Sequence, residues 1–393
     1  MHDVMVVSAC RTAIGDFGGS LKDFSPSDLG AAVIKASLER AQVAGSEVGH
    51  VVMGHVINTE PRDMYLSRYA AVNAGIDHAV PAFNVNRLCG SGLQAIVSAA
   101  QSIMLGDASV AIGAGAESMS RAPYLAVGQR WGSRMGDSRL VDMMTGALSD
   151  PFKTVHMGVT AENVARKYGI SRQDQDALAV LSHQRAAHAI SQGYFREQII
   201  PMVLKTRKGE VVFEQDEHVR ADASVESFSG LKPVFDREQG SVTAGNASGI
   251  NDGAAAVLMM SAEHMRSRGL KPLARLVSYA HAGVDPDYMG MGPVPATRLA
   301  LTKAGLSLDQ MDVIEANEAF AAQACAVARE LGFDATKLNP NGSGIGLGHP
   351  IGATGAILTV KAVHELQRTQ GRYALVTMCI GGGQGIAAIF ERQ

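Results

Sequence analysis

A weak internal repeat runs through this chain. Residues 27–43 (SDLGAAVIKASLERAQV) carry the apolar spacing of an amphipathic helix and lead through Gly45 into an apolar stretch at 50–56 (HVVMGHV). The same order returns at 295–306 (PATRLALTKAGL) and 312–320 (DVIEANEAF). Each copy then continues alike: 89–117 and 349–385 both read glycine-rich turn, apolar helix, polar turn, buried strand, glycine-rich end. Two similar α/β halves with crossover helices are therefore expected. At 393 residues the chain is long enough for two or three packed units.

The stretch between the copies has a different texture. From Met119 to about Gly249 it is richer in Arg, Asp, Ser and isolated glycines, with helical spacing in TAENVARKYG and ISRQDQDALAVLSHQRAAHAISQG. We read it as an inserted loop domain at 119–249, set between an N-terminal half (1–118, with 250–270 returning to it) and a C-terminal half (271–393). Inserted loops on a rigid scaffold commonly build substrate sites.

The bulk properties exclude several classes of function. A net charge of -3 without charged blocks gives no reason to expect binding to nucleic acid or to a membrane surface. Apolar runs such as Ala254–Met260 are strand-sized and fall short of the roughly 18 residues of a membrane span. The apolar VMVVSA begins at Val4, leaving no room for a signal or transit peptide, and the ending FERQ is no peroxisomal address, so a cytoplasmic location is expected. Cys10, Cys89, Cys325 and Cys379 lie far apart without CxxC or Cys/His ligand spacing. Neither disulfides nor a bound metal is expected.

Chemistry concentrates at the glycine-rich turns. Cys89, in VNRLCGSGLQAIVSAA, stands just before a helix beginning near Ser91, where unpaired N–H groups favour thiolate; Gly90 and Gly92 permit a sharp turn. The alternative is an inert core thiol. His349 holds the equivalent turn of the second half and is a candidate activating partner, or a structural histidine. Cys379 ends the apolar YALVTMC before Gly381, Gly382 and Gly383, a loop able to aim N–H groups into a cavity or simply to close a hairpin. Asn317 and Glu318 precede a helix, and the alternative role for them is to cap it. Cys10 and Cys325 read as packing residues, and His156 and Met157 as ligand-lining or core-covering.

Five dispersed segments together resemble one family. NRLCGSG (86–92), NASGINDG (246–253), NEAF (317–320), GLGHPIGATG (346–355) and CIGGGQG (379–385) are similar to the signature segments of thiolases, in the same order along nearly the whole chain. TEPRDMYLSR and SMSRAPYLAVGQRWGSRMGD most resemble the broad-specificity bacterial β-ketothiolases linked to polyhydroxyalkanoate synthesis.

The resemblance implies a duplicated five-layered α-β-α-β-α architecture and reversible Claisen condensation of acyl-CoA with acetyl-CoA to 3-ketoacyl-CoA. Cys89 would carry the acyl group and Cys379 would act as acid and base. His349 would activate Cys89 and, with a water held by Asn317, form one oxyanion site; the N–H groups of Cys89 and Gly381 would form the other. Coenzyme A would meet Leu148, His156, Met157, Arg220, Ala244, Ser248, Met289, Ala319 and Phe320. The implied ligands are acetyl-CoA, 3-ketoacyl-CoA and free CoA, all substrates, with no separate cofactor. The loop in SMSRAPYLAVGQRWGSRMGD implies a homotetramer built as a dimer of dimers.

The chain departs from the family's pattern at Gly346, where alanine or serine is usual, and extra backbone freedom near His349 is expected there. Three other readings stand beside this one. A strict short-chain acetoacetyl-CoA thiolase differs only in its acyl pocket. A decarboxylating ketoacyl synthase would carry histidine or asparagine at position 379. A non-catalytic acyl-CoA-binding homologue would have lost a member of the catalytic set.

Overall fold

The computed structural model describes residues 2–393. The first half runs β1 (Val4–Thr12), α1 (Pro26–Ala41), β2 (His50–Gly54), β3 (Ala82–Val85), α2 (Ser91–Leu105) and β4 (Val110–Ser118). Pro26 in the first turn and the Ser25 hydroxyl, which accepts from Asp28 N–H, start α1; Gly106 in the left-handed region ends α2. The insertion contributes α3 (Met157–Tyr168) and α4 (Arg172–Ser191), two helices separated by Gly169 at φ +60° and the Ser171 cap. Lys205, Arg207 and Lys208 lie exposed on a small hairpin, Met202–Thr206 with Gly209–Phe213.

After the insertion, β5 (Asn251–Ser261) pairs antiparallel with both β1 and β4. The second half follows as β6 (Ala274–Gly283), α5 (Pro293–Ala304), β7 (Val313–Ala316), α6 (Ala321–Leu331), α7 (Thr354–Thr369), β8 (Tyr373–Ile380) and β9 (Gln384–Arg392).

Strand order shows the duplication directly. The path is β7-β8-β9-β6-β1-β5-β4-β2-β3; leaving aside the extra edge strand β3, the first half reads β2-β4-β5-β1 from the outside inward and the second β7-β8-β9-β6. Senses match over these four strands as well: β2 is parallel to β4 and β7 to β8, whereas β4-β5, β5-β1, β8-β9 and β9-β6 are antiparallel; the extra strand β3 is parallel to β2. The halves join where β1 meets β6 over only two residue pairs, Met5 with Arg275 and Val6 with Ala274.

Five layers result. Helix α1 covers the first half-sheet and α5 the second, while α2 and α7 lie between the half-sheets and touch each other. Strands covered on both faces read as unbroken small or apolar runs, as in VAIGAGAES of β4. The window Leu88–Leu105, with mean hydropathy 1.3, is long and apolar enough to pass for a membrane span, contrary to the expectation above. It is α2 with its entry turn, and its apolarity follows from burial against a sheet on one side and α7 on the other.

Two glycines let these central helices meet. A Cβ on Gly92 would fall 2.7 Å from Ala356 N, and one on Gly355 would fall 2.3 Å from Leu93 N. The first turns of α2 and α7 are thus in backbone contact, and the residues entering them, Cys89 and His349, are brought to one place.

Candidate active site

Leu88 adopts φ +44°, a left-handed conformation rare for a branched side chain, immediately before Cys89. The turn is held by its own hydrogen bonds: Arg87 N–H donates to Ser91 Oγ (2.8 Å), Ser91 Oγ donates to Leu88 O (2.6 Å), and Leu88 N–H donates to Asn86 Oδ1 (3.0 Å). Strain at a site fixed this firmly keeps a side chain where packing alone would not put it.

Cys89, His349, Cys379 and Gly381 line one small cavity of about 50 Å3 with Leu148, Met157, Ser248, Met289, Ala319 and Phe320. Ten of the fourteen residues expected at the site therefore face a single space. Leu88 and Ala147 line it too and were not anticipated; the first had a signal in its place beside Cys89, the second had none.

Cys379 lies within β8, and Gly381, Gly382 and Gly383 form the hairpin turn to β9. Both readings of this loop hold, because the turn also points the Gly381 N–H at the Cys89 sulfur, alongside the N–H of Cys89 itself. A Cβ at Gly381 would stand 3.0 Å from Met157 Cε and 3.2 Å from Leu88 Cδ1, so a side chain here would crowd the cavity wall.

Burial decides the protonation states. It pushes the Cys89 thiol up to about 11, against the two N–H groups that pull it down, with nearby Glu117 adding to the rise. The thiolate preference expected from the helix start is thereby overturned, since desolvation of an anion outweighs the partial charge of a helix terminus here. Cys379 is pushed higher still, by burial and by its neighbour Cys89. Burial lowers His349 to about 4, so it is a neutral imidazole at pH 7.

Hydrogen bonds fix the tautomer of the imidazole. His349 Nδ1 lies 2.6 Å from Thr354 Oγ1, which donates onward to Pro350 O at 2.9 Å. The hydroxyl therefore accepts from Nδ1–H, and Nε2 carries the lone pair, which accepts from Asn317 Nδ2 at 3.3 Å. Asn317 thus meets His349 and does no capping; Phe320 holds the cap position of α6 without a side-chain bond. Glu318 accepts from Ser182 Oγ (2.6 Å) and Asn339 Nδ2 (2.9 Å) in the interior, and burial raises its carboxyl.

The loop before His349 is tighter than expected. Gly346 N–H donates to Ser182 Oγ (3.1 Å), and a Cβ at Gly346 would fall 2.7 Å from Ser182 O. Its glycine answers a close backbone approach from α4; it does not loosen the loop. Gly352 N–H, three residues beyond His349, donates to the buried Glu117 at 2.8 Å.

His156, Arg220 and Ala244 do not line the cavity. His156 caps α3, its Nδ1 accepting from Gly158 N–H (3.0 Å), and stacks on Phe235 with ring centroids 4.7 Å apart. Arg220 and Ala244 are exposed. Arg220 N–H donates to His183, whose ring meets Phe228, and Phe228 in turn packs beside Gly245. Ser248 N–H donates to Ala319 O (3.0 Å), tying the loop from the insertion to the NEAF segment. Cys10 is buried as expected, but Cys325 is only half-buried and lines a different cavity between α4 and α6.

Comparison with known proteins gives a consistent result. The family model described as thiolase, N-terminal domain, matches residues 4–263, and that for the thiolase C-terminal domain matches residues 270–392. Beta-ketothiolase BktB of Cupriavidus necator is 69% identical over 391 residues, covering 100% of this chain and 99% of the relative. An acetyl-CoA acetyltransferase of Pseudomonas aeruginosa is 52% identical over 394 residues, with 100% of both chains covered. Among solved structures, human mitochondrial 3-ketoacyl-CoA thiolase in complex with CoA superposes with a TM-score of 0.97 at 44% identity, covering 100% of this chain and 98% of that one. The acetyl-CoA acetyltransferase of Bacillus anthracis gives 0.98 at 46% identity, with coverage of 100% and 99%.

Proposed function

The chain belongs to the thiolase family, and from that premise we propose that it makes and breaks 3-ketoacyl-CoA through an acyl group carried on Cys89. The convergence of Cys89, His349, Cys379 and the Gly381 N–H on one cavity is the observation that supports these roles.

In cleavage, Cys89 Sγ adds to the C3 carbonyl of the substrate while its proton passes to His349 Nε2. The C2–C3 bond then breaks, its electron pair forming the enolate of acetyl-CoA, which takes a proton from Cys379. Incoming CoA returns a proton to the Cys379 thiolate and attacks the thioester. Cys89 leaves as its sulfur recovers the proton from His349. Condensation is the reverse sequence. A neutral thiol beside a neutral imidazole suits a dry cavity, because charge then develops only as the bond forms. N–H groups of Cys89 and Gly381 serve the oxyanion on the acyl carbon, and His349 with Asn317 serves the enolate oxygen.

Coenzyme A substrates enter along the insertion in this reading. Ser248 and His156 serve the pantetheine, Leu148, Met157, Met289, Ala319 and Phe320 its apolar end, and exposed Arg220 with Ala244 the outer, nucleotide end. No metal or separate cofactor is assigned, since each proton and each oxyanion has a protein group; exhaustive chelation should leave activity unchanged. A cytoplasmic homotetramer completes the proposal, supported by the loop 119–142, where Trp131 is 89% and Met135 94% exposed.

The acyl range is proposed to be broad. Met157 and Met289 are unbranched and can change rotamer to admit a methylene. The deciding assay is CoA-dependent loss of acetoacetyl-CoA, followed by the same assay with 3-ketopentanoyl-CoA. Turnover of both, with kcat/KM differing by about tenfold or less, supports the reading; a preference near 200-fold makes the protein a strict short-chain thiolase. No turnover of either removes the catalytic reading altogether.

A further inference from the structure

Glu117, near the end of β4, and His55, just after β2, are buried in the first half and have no part in the proposed proton transfers. Four donors converge on the Glu117 carboxyl group. Its Oε2 accepts from Gly352 N–H (2.8 Å) and Val56 N–H (3.1 Å), and its Oε1 accepts from Ile57 N–H (3.1 Å) and lies 3.2 Å from His55 Nδ1. That nitrogen is also 3.0 Å from Ala116 O, so it carries a hydrogen, shared between carbonyl and carboxylate.

The loop that carries His349 is seated on this group. A Cβ on Gly352 would fall 2.4 Å from Glu117 Oε2 and 3.0 Å from His55 Cα, and one on Gly115 would fall 2.5 Å from Gly352 O. Loop and strand thus meet with no side chain between their backbones. Ile351, next to Gly352, shares one apolar cluster with Ile57 and Met119, and Cys89 packs against that cluster. One carboxylate therefore joins the turn after β2, the end of β4 and the histidine loop of the second half, beside the cluster that supports the nucleophile.

We propose that Glu117 is a positioning residue for the reaction: by holding Gly352 against the first half, it fixes His349, three residues away, where it can take the proton of Cys89. The proposal rests on the thiolase reading of the site. Proton transfer needs its two heavy atoms within hydrogen-bond reach, and a displacement of about 1 Å can cost roughly a hundredfold in rate. The charge of Glu117 also opposes a thiolate at Cys89. Removing that charge should therefore quicken alkylation of Cys89 while it slows turnover, and a variant that keeps the charge but not the reach should slow turnover alone.

The test compares full-length wild type, Glu117→Gln and Glu117→Asp in thiolysis of acetoacetyl-CoA and in alkylation by iodoacetamide at about pH 8. Glutamine keeps the shape but turns an NH2 group towards two of the four donors; aspartate keeps the charge one methylene short of them. Both variants should lose kcat about a hundredfold with KM changed less than about threefold. Alkylation of Cys89 should be about threefold faster in the glutamine variant and unchanged in the aspartate variant, a contrast that loosening of the fold would not produce. Cys10, buried in β1, should stay unlabelled in all three. Wild-type kcat in Glu117→Gln overturns the proposal, as does a loss of rate that follows the labelling of Cys10, since that is unfolding. If neither variant folds, hydrogen exchange in the wild type decides: the Gly352 amide should exchange as slowly as those of β4, and exchange within seconds overturns the proposal. A wild type that cleaves no acetoacetyl-CoA is a different result: it removes the thiolase reading itself, whereas an active wild type beside an equally active Glu117→Gln removes only the role of Glu117.

Discussion

His349 and Thr354 are joined by a 2.6 Å hydrogen bond that determines which nitrogen of the imidazole can act as a base. Because the threonine hydroxyl donates to Pro350 O, it must accept from Nδ1, and Nε2 carries the lone pair that the proposed proton transfer from Cys89 requires. Thr354→Val keeps the shape and removes the acceptor, so kcat should fall roughly tenfold or more with KM little changed. Thr354→Ser should restore most of the rate. Equal activity of the valine and serine variants would show that the tautomer is set elsewhere.

The acidity of Cys89 gives a second prediction. Its thiol is pushed up to about 11 by burial, so the thiolate fraction in the free enzyme rises tenfold per pH unit throughout the neutral range. Alkylation of Cys89 by iodoacetamide, followed by peptide mass spectrometry, should therefore accelerate steadily from pH 6 to about 9 without a plateau. A plateau with its midpoint near pH 7 would mean that the helix start outweighs desolvation.

Cys379 is assigned to the carbon acid and not to acyl transfer. Cys379→Ala should still exchange acetyl between acetyl-CoA and Cys89, while condensation falls at least about a hundredfold. Unimpaired condensation at saturating substrate would take Cys379 out of the mechanism.

Gly346 tests the fit of the histidine loop against α4. Gly346→Ala places a methyl 2.7 Å from the backbone oxygen of Ser182, and should cost about 1 to 3 kcal/mol in thermal or urea unfolding, with a loss of kcat as His349 shifts. A neutral effect on both would show that α4 yields readily.

Assembly can be read from the inserted loop. Replacing exposed Trp131 and Met135 by serine should convert a tetramer into a smaller species in light scattering while circular dichroism is retained. A monomeric wild type would contradict the proposed assembly.

Much of this was legible in the sequence, for reasons that can be named. The repeat of helix, strand and glycine-rich turn placed Cys89 and His349 at equivalent turns, and the duplicated strand order makes those turns meet. What lay beyond reach depended on three-dimensional neighbours. Helix-start position is visible in a sequence, but the burial that raises Cys89 is not. Thr354 is one more small residue in GATG until Pro350 and His349 are seen on either side of its hydroxyl. Gly346 suggested slack because a lone glycine gives no sign of the helix pressed against it. Ala147 carries no chemistry at all, and only the fold brings it to the cavity wall.

The covalent intermediate is the most direct test of the account. Incubation of the intact protein with acetyl-CoA alone, quenching in acid and mass spectrometry of the peptides should find one acetyl group per subunit, as a thioester on Cys89. An acetyl group on Cys379 instead, or none on either cysteine in a preparation that turns over acetoacetyl-CoA, would contradict it.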